Sequence, residues 1–289
     1  MLGYRRQSSE ARTALLDANG KETQVSEIGV NAQVETPVVP EDFGGMHAWL
    51  ASNNISGSTE DLAFRADGAI ALGVPGGVVI ATPTGPDSVS FEQMQLTGDP
   101  LTRALGLAYD RNGNLWTADP TGHALHAISP EGVVTTHLTT NGSEPLDAPN
   151  DVAVGLDDRV YLSDPCRGEL IAYDPLTKAV TAVQPYHLPT EGGGMSFDAE
   201  GNLYVVVDTA EGVSLAESRV MVLRKGATEL VPFAAFQKDT VIANVAFGRG
   251  VLGETVMYGA LLAIPPFTTE DKRGIVRFPV GLAGHPLLP

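Results

Sequence analysis

Glu60, Leu105, Asn150, Gly193 and Ala243 each open a short apolar run, and they recur at steps of 45, 45, 43 and 50 residues. The carboxylate at 60 and the carboxamide at 150 are oxygen donors of the kind that hold hard divalent cations, and a carboxylate also activates water. Residues so distant in sequence share a site only if the fold rotates equivalent positions onto one axis. The loop QPYHLPTEGGG (184–194) places Tyr186, His187 and Glu191 just ahead of Gly193. A histidine titrates near neutrality and can serve as general acid or base. Glu191, two residues before Gly193, can bring a further carboxylate to the same point. Asp119, Asp164 and Asp208 end the second strands of three units and would face the same way. An aspartate before Pro or Thr also caps the following turn, and that role competes with any functional one.

Other reactive residue types carry less. His123 and His126 stand three apart, a spacing that suits a metal pair on a helix, but TGHALHAI reads as a turn entering a strand. Cys166 is the only cysteine, so there is neither an intrachain disulfide nor a cysteine zinc site. No GxSxG elbow, phosphate-binding glycine loop, HExxH helix or dinucleotide fingerprint occurs.

The elements that must position these residues are legible as a repeat. EDLAFRADGAIAL, LGLAYDRNGNLWTAD, NDVAVGLDDRVYLSD, GGMSFDAEGNLYVVVD and ANVAFGRGVLGETVMYG each show a short apolar strand, a polar turn and a second strand. Gly113 in DRNGN and Gly201 in DAEGN stand where a hairpin needs positive φ. Third strands follow, as in LIAYDP and VMVLRKG, and then fourth strands, as in VVTTHL and ELVPF. Four antiparallel strands every ~40–50 residues make the blade of a β-propeller. Residues 1–58 contain further strand-like text, TALLDANGKETQVSEI, and MHAWLAS leads into Glu60 as a fourth strand does. The expectation is one all-β domain over 1–289: a six-bladed propeller of four-stranded antiparallel blades. Its blades start near 60, 105, 150, 193 and 243, and the N-terminal segment closes the ring. Closure removes free strand edges.

Composition agrees. The 289 residues are 43% hydrophobic and 18% charged, with 32 Gly and 20 Pro spread along the chain. The 35 acidic against 18 basic residues give a net charge of −17, which repels phosphate backbones and argues against nucleic acid. No run approaches ~18 apolar residues, so no membrane span is expected. The N-terminus does not read as a signal peptide, and cytoplasm is the expected location. Asn54-Ile-Ser and Asn141-Gly-Ser match the glycosylation sequon, which would matter if a leader had been removed.

PNDVAV, GGMSFDAEGNLY and IANVAFG resemble the regucalcin and gluconolactonase family of six-bladed propellers, which is similar to diisopropyl fluorophosphatase and more distantly to strictosidine synthase. The resemblance covers residues ~55–280 and implies a calcium ion held on the axis by the first residues of the inner strands. Carried over by position, Glu60 matches the family's opening glutamate, although Asp61 replaces the usual glycine, and Asn150 matches its ligand asparagine. Leu105 stands where diisopropyl fluorophosphatase has a ligand asparagine. Gly193 stands where the family has an aspartate, so DGM reads GGM here. The cation would rest on Glu60, Asn150 and Glu191, too few donors for a good calcium cage.

The resemblance implies a small-molecule enzyme with its pocket at one end of the channel, most simply a lactone or ester hydrolase using Glu60 and His187. The pocket would include Leu105, Asn150, Tyr186, Gly193, Asn244 and Phe267. The apolar run LLAIPPF, ending in Phe267, could form a lid that suits an apolar substrate. Two alternatives stay open: a metal-independent cyclase, condensing enzyme or isomerase in the same pocket, and a propeller used only for binding. Oligomeric state is not legible.

Overall fold

In the computed structural model the described residues are 10–16, 22–29, 52–53, 60–85, 88–183, 192–211, 214–235, 241–262 and 274–287. The chain is an all-β propeller. An N-terminal hairpin pairs β1 (Glu10–Leu16) with β2 (Glu22–Gly29). The first sheet is β3 (Leu62–Phe64), β4 (Ile70–Val74), β5 (Gly77–Gly85) and β6 (Ser88–Gln93), in that order. The second holds β7 (Thr97–Gly98), β8 (Leu107–Tyr109), β9 (Leu115–Asp119), β10 (Ala124–Ile128) and β11 (Val133–Leu138), with β7 a short parallel addition beside β11. The third holds β12 (Val152–Val154), β13 (Val160–Asp164), β14 (Glu169–Tyr173) and β15 (Val180–Ala182). The fourth holds β16 (Gly192–Phe197), β17 (Leu203–Glu211), β18 (Ser214–Leu223) and β19 (Leu230–Ala235). The fifth is β20 (Val241–Phe247), β21 (Val256–Leu262) and β22 (Gly274–Pro279).

Each sheet is a meander whose innermost strand comes first, β7 aside. The inner strands β3, β8, β12, β16 and β20 pack one on the next, and β20 packs on β3. Five sheets thus succeed one another among the described residues. The expected sixth blade falls on residues 1–58, most of which lie outside the described residues. The described part of that segment, the β1–β2 hairpin, runs with β1 beside β22.

Alternation along the strands explains the packing, because each sheet presents one set of side chains to each neighbour. Ala71 and Val78 meet Leu107, Leu115 and Ile128 between the first and second sheets. Trp116 and Leu125 meet Leu162 and Tyr173 at the next seam. Ala153 and Leu170 meet Met195 and Val205 at the third, and Tyr204 and Val220 meet Ile242 and Met257 at the fourth. Leu62 and Val79 meet Val256 and Tyr258 where the fifth sheet meets the first. A large apolar side chain buried this way contributes about 1.5–3 kcal/mol, so every seam is a core in its own right.

The inner hairpins are built alike. Asp110 Oδ1 accepts the backbone N–H groups of Asn112 and Asn114, and its Oδ2 accepts the Asn114 amide and the Trp116 indole. Asp198 repeats the arrangement with Glu200, Asn202 and the Tyr204 hydroxyl. Gly113 and Gly201 have φ of 80° and 85°, as their turn position requires, and Asp158 takes the equivalent place at 59°. After β22 the chain crosses the far end of the fourth and fifth sheets. There the Ala199 N–H donates to Ala283 O, the Gly284 N–H to Glu254 O and the His285 N–H to Phe197 O.

Candidate active site at the channel mouth

Two residues precede the straight part of each inner strand: Glu60-Asp61, Leu105-Gly106, Asn150-Asp151, Gly193-Gly194 and Ala243-Asn244. The first of each pair stands at the start of its inner strand, at one end of the ring. Glu60 is not a free carboxylate: Arg103 donates to its Oε2 at 2.6 Å, and both side chains are about a third exposed, at 32% and 40%. Leu105 is buried, and Asn150 and Gly193 are half-buried. A Cβ on Gly193 would lie 2.9 Å from Asn150 Oδ1 and 3.1 Å from the Ala243 carbonyl. The amide oxygen of Asn150 therefore points at the space that an aspartate at 193 would fill. Tyr186, His187, Glu191 and Phe267 lie outside the described residues.

The second residues form a deeper layer. Asp61, Asp151 and Asn244 are 4%, 0% and 1% exposed, and the bare positions Gly106 and Gly194 give them room. A Cβ on Gly106 would meet Asp151 Oδ1 at 2.6 Å, and one on Gly194 would meet the Asn244 backbone at 2.3 Å. Asp151 Oδ2 accepts the Met195 N–H, and Asn244 donates Nδ2 to Asp151 Oδ1 at 3.4 Å. Backbone N–H groups of Val152 and Leu107 add to this. Burial pushes Asp151 up from the ordinary carboxylate range, and these donors work against the rise.

Asp61 has far less support. Burial raises it most, the neighbouring carboxylates of Asp151 and Glu60 raise it further, and Asn244 and Arg103 only partly offset them. Its Oδ1 and the Oδ1 of Asn244 are both buried without a hydrogen-bond partner. Both carboxyls are thus raised, and Asp61 has fewer hydrogen bonds to set against its burial than Asp151 has.

Among the described residues the mouth offers few free oxygens for calcium, which takes six to eight, and Glu191 lies outside them. Glu60 is engaged by Arg103, Leu105 offers no oxygen and Gly193 offers no side chain. In the deeper layer Asp151 is already turned to backbone N–H groups. Among the described residues no group of three or more His, Cys, Asp and Glu is arranged to hold a metal ion. A guanidinium thus stands beside the glutamate where the family resemblance implies a cation.

Asp119 caps the following turn and Asp164 holds the incoming loop, whereas β17 continues through Asp208 to Glu211. Asp119 accepts the N–H groups of Thr102 at 2.7 Å, Thr121 at 3.1 Å and Gly122 at 2.7 Å, and Asp164 accepts those of Asp147 and Ala148. His126 is buried with Nε2 at 3.7 Å from Asp119, and burial pushes its pKa down. Reading only the first residue of each repeat overlooked Asp61 as part of the site. Its signal was nonetheless present: aligned at the second position, the five units read Asp, Gly, Asp, Gly, Asn. Arg103, two residues ahead of Leu105, gave no such signal.

No protein-family model matches the sequence, and no curated relative matches it. Solved structures do match in fold. A protein assigned as a gluconolactonase is similar at a TM-score of 0.55 and 13% identity, over 96% of this chain and 87% of its own. A gluconolactonase from Xanthomonas campestris is similar at 0.53 and 16% identity, over 81% and 78%. A chain of the nidogen–laminin complex reaches 0.52 at 13% identity, over 67% and 70%. The chain is thus structurally similar to gluconolactonase propellers at low sequence identity. Likenesses this remote establish the propeller and leave its chemistry to be argued from the mouth.

Proposed function

We propose that the protein hydrolyses a small lactone or ester at the channel mouth, with Glu60 and Arg103 as the working pair. The observation that carries this reading is the partly exposed 2.6 Å ion pair above the buried Asp61 and Asp151. A carboxylate beside a guanidinium supplies both needs of acyl hydrolysis. Arg103 polarises the carbonyl oxygen and holds the negative charge that develops on it. Glu60 takes a proton from the attacking water as the C–O bond to the oxygen nucleophile forms. Collapse of the tetrahedral intermediate breaks the bond to the leaving oxygen, which receives that proton, and the products are an acid and an alcohol. In a lactone both belong to one hydroxy acid. His187 is a second candidate for the proton transfer, and Asn150 and Tyr186 are candidates for binding the substrate.

The test is turnover of five- and six-membered lactones and aryl esters by the wild type, Glu60→Gln, Arg103→Met and His187→Gln. General-base loss is expected to lower kcat by about 10²–10⁴ in Glu60→Gln. Arg103→Met is expected to lose a similar factor through the developing oxyanion. EDTA is expected to leave the rate unchanged, because no step uses a metal. Wild-type rates equal to buffer across the panel, or full activity in Glu60→Gln, would end the hydrolase reading. Saturable ligand binding without turnover would instead identify a binding propeller.

A further inference from the structure

The channel has a second chemical site at the opposite end from Glu60. A cavity of about 60 Å³ is ringed there by the last residues of all five inner strands: Phe64, Tyr109, Val154, Phe197 and Phe247. Arg249, His285 and Leu287 complete its wall. His285 and Leu287 belong to the C-terminal segment that crosses this end, and the Phe197 and Glu254 carbonyls anchor that segment.

Arg249 and His285 are 8% and 6% exposed, and their polar atoms are poorly used. Arg249 donates Nη2 to the His285 carbonyl, but its Nε has no partner, and neither ring nitrogen of His285 has one. Three buried polar nitrogens on one cavity wall are costly unless something occupies the space. Arg249 has no ion-pair partner within 4 Å among the described residues. Glu254 acts on it only from a distance, and around His285 the charges of Arg111, Asp157 and Asp158 largely oppose one another.

We propose that this cavity binds a small monocarboxylate, of the size of formate or acetate. One carboxylate oxygen accepts from Arg249 Nε and the other from the N–H of a neutral His285 ring. The short alkyl end lies against Phe64, Phe197 and Phe247. The charge argument selects an anion, since the wall holds a guanidinium and no free carboxylate. Size selects a small one: the volume equals about two waters' share of liquid. A single guanidinium suits one negative charge better than the two of a phosphate.

The test follows the imidazole signals of the intact protein by NMR while sodium acetate is added, with sodium chloride matching ionic strength. The chain has 6 histidines, so individual signals can be assigned by substitution. One signal is expected to shift saturably with acetate, to be missing in His285→Gln, and to respond about tenfold more weakly in Arg249→Gln. Should Arg249→Gln fail to fold, the wild-type and His285→Gln titrations decide the matter alone. The proposal is overturned if no histidine signal moves, if the moving signal persists in His285→Gln, or if chloride moves it equally. Any of those results would leave the cavity to water.

Discussion

Asp61 and Asp151 are equally hidden from solvent and differ in what reaches them. Asp151 is met by three backbone N–H groups, whereas Asp61 meets the Asn244 side chain and the carboxylates of Asp151 and Glu60. A carboxyl whose folded pKa lies above its ordinary 3.8 binds its proton more tightly folded than unfolded. Stability from that proton is present below pH ~4 and is lost as pH rises from there through the folded pKa. Asp61→Asn keeps the shape and removes that dependence. The variant should melt close to the wild type in acid and several degrees above it at neutral pH, as a Tm series against pH would show. A wild-type advantage at neutral pH would mean that Asp61 is charged and partnered. Glu60 and Asn150 stand out as candidates in the sequence because the repeat marks them. Asp61 was passed over because, at a position where the family carries glycine, an acid looks like noise until a second acid is seen to converge on it.

Elements meet at the axis through glycine. Gly106 lies against Asp151 and the Asn150 carbonyl, and Gly194 against the backbone of Asn244. These are contacts between adjacent inner strands, and backbone cannot step aside as a flexible side chain can. Gly106→Ala and Gly194→Ala should each cost about 3 kcal/mol or more, read as a lowered denaturation midpoint with an unchanged slope. Tolerance of both substitutions would show that the inner strands are less closely spaced than described. The hairpins were legible at this scale, since turn glycines and alternating apolar residues specify β3 to β4 and its four counterparts. The two-residue strand β7 was not, because TG carries no pattern. The cross-channel segment 280–287 was also illegible, because its placement depends on backbone carbonyls that any sequence would offer.

The whole molecule carries a net charge of −17. Self-repulsion of that size opposes compactness and is screened by salt. Raising sodium chloride from about 10 to about 150 mM should therefore raise Tm, with most of the gain at the low end, where the Debye length falls fastest. A Tm that falls with salt would show that local ion pairs such as Arg103–Glu60 outweigh the global field. The propeller could be recognised from sequence because its period is carried by many residues at once. The chemistry proposed for its two ends rests on single residues, Arg103 at one and His285 at the other, which no periodicity announces.

Asp151 reaches beyond its own sheet, drawing on amides that belong to the sheets on either side. A chain of modules normally frays from whichever unit is weakest. Here one carboxyl works as a keystone, so loosening any of three neighbours leaves a buried polar group without its partners and drags the others with it. Melting is thereby made collective, and a lesion at this single atom group should be felt around the circle rather than in one sector.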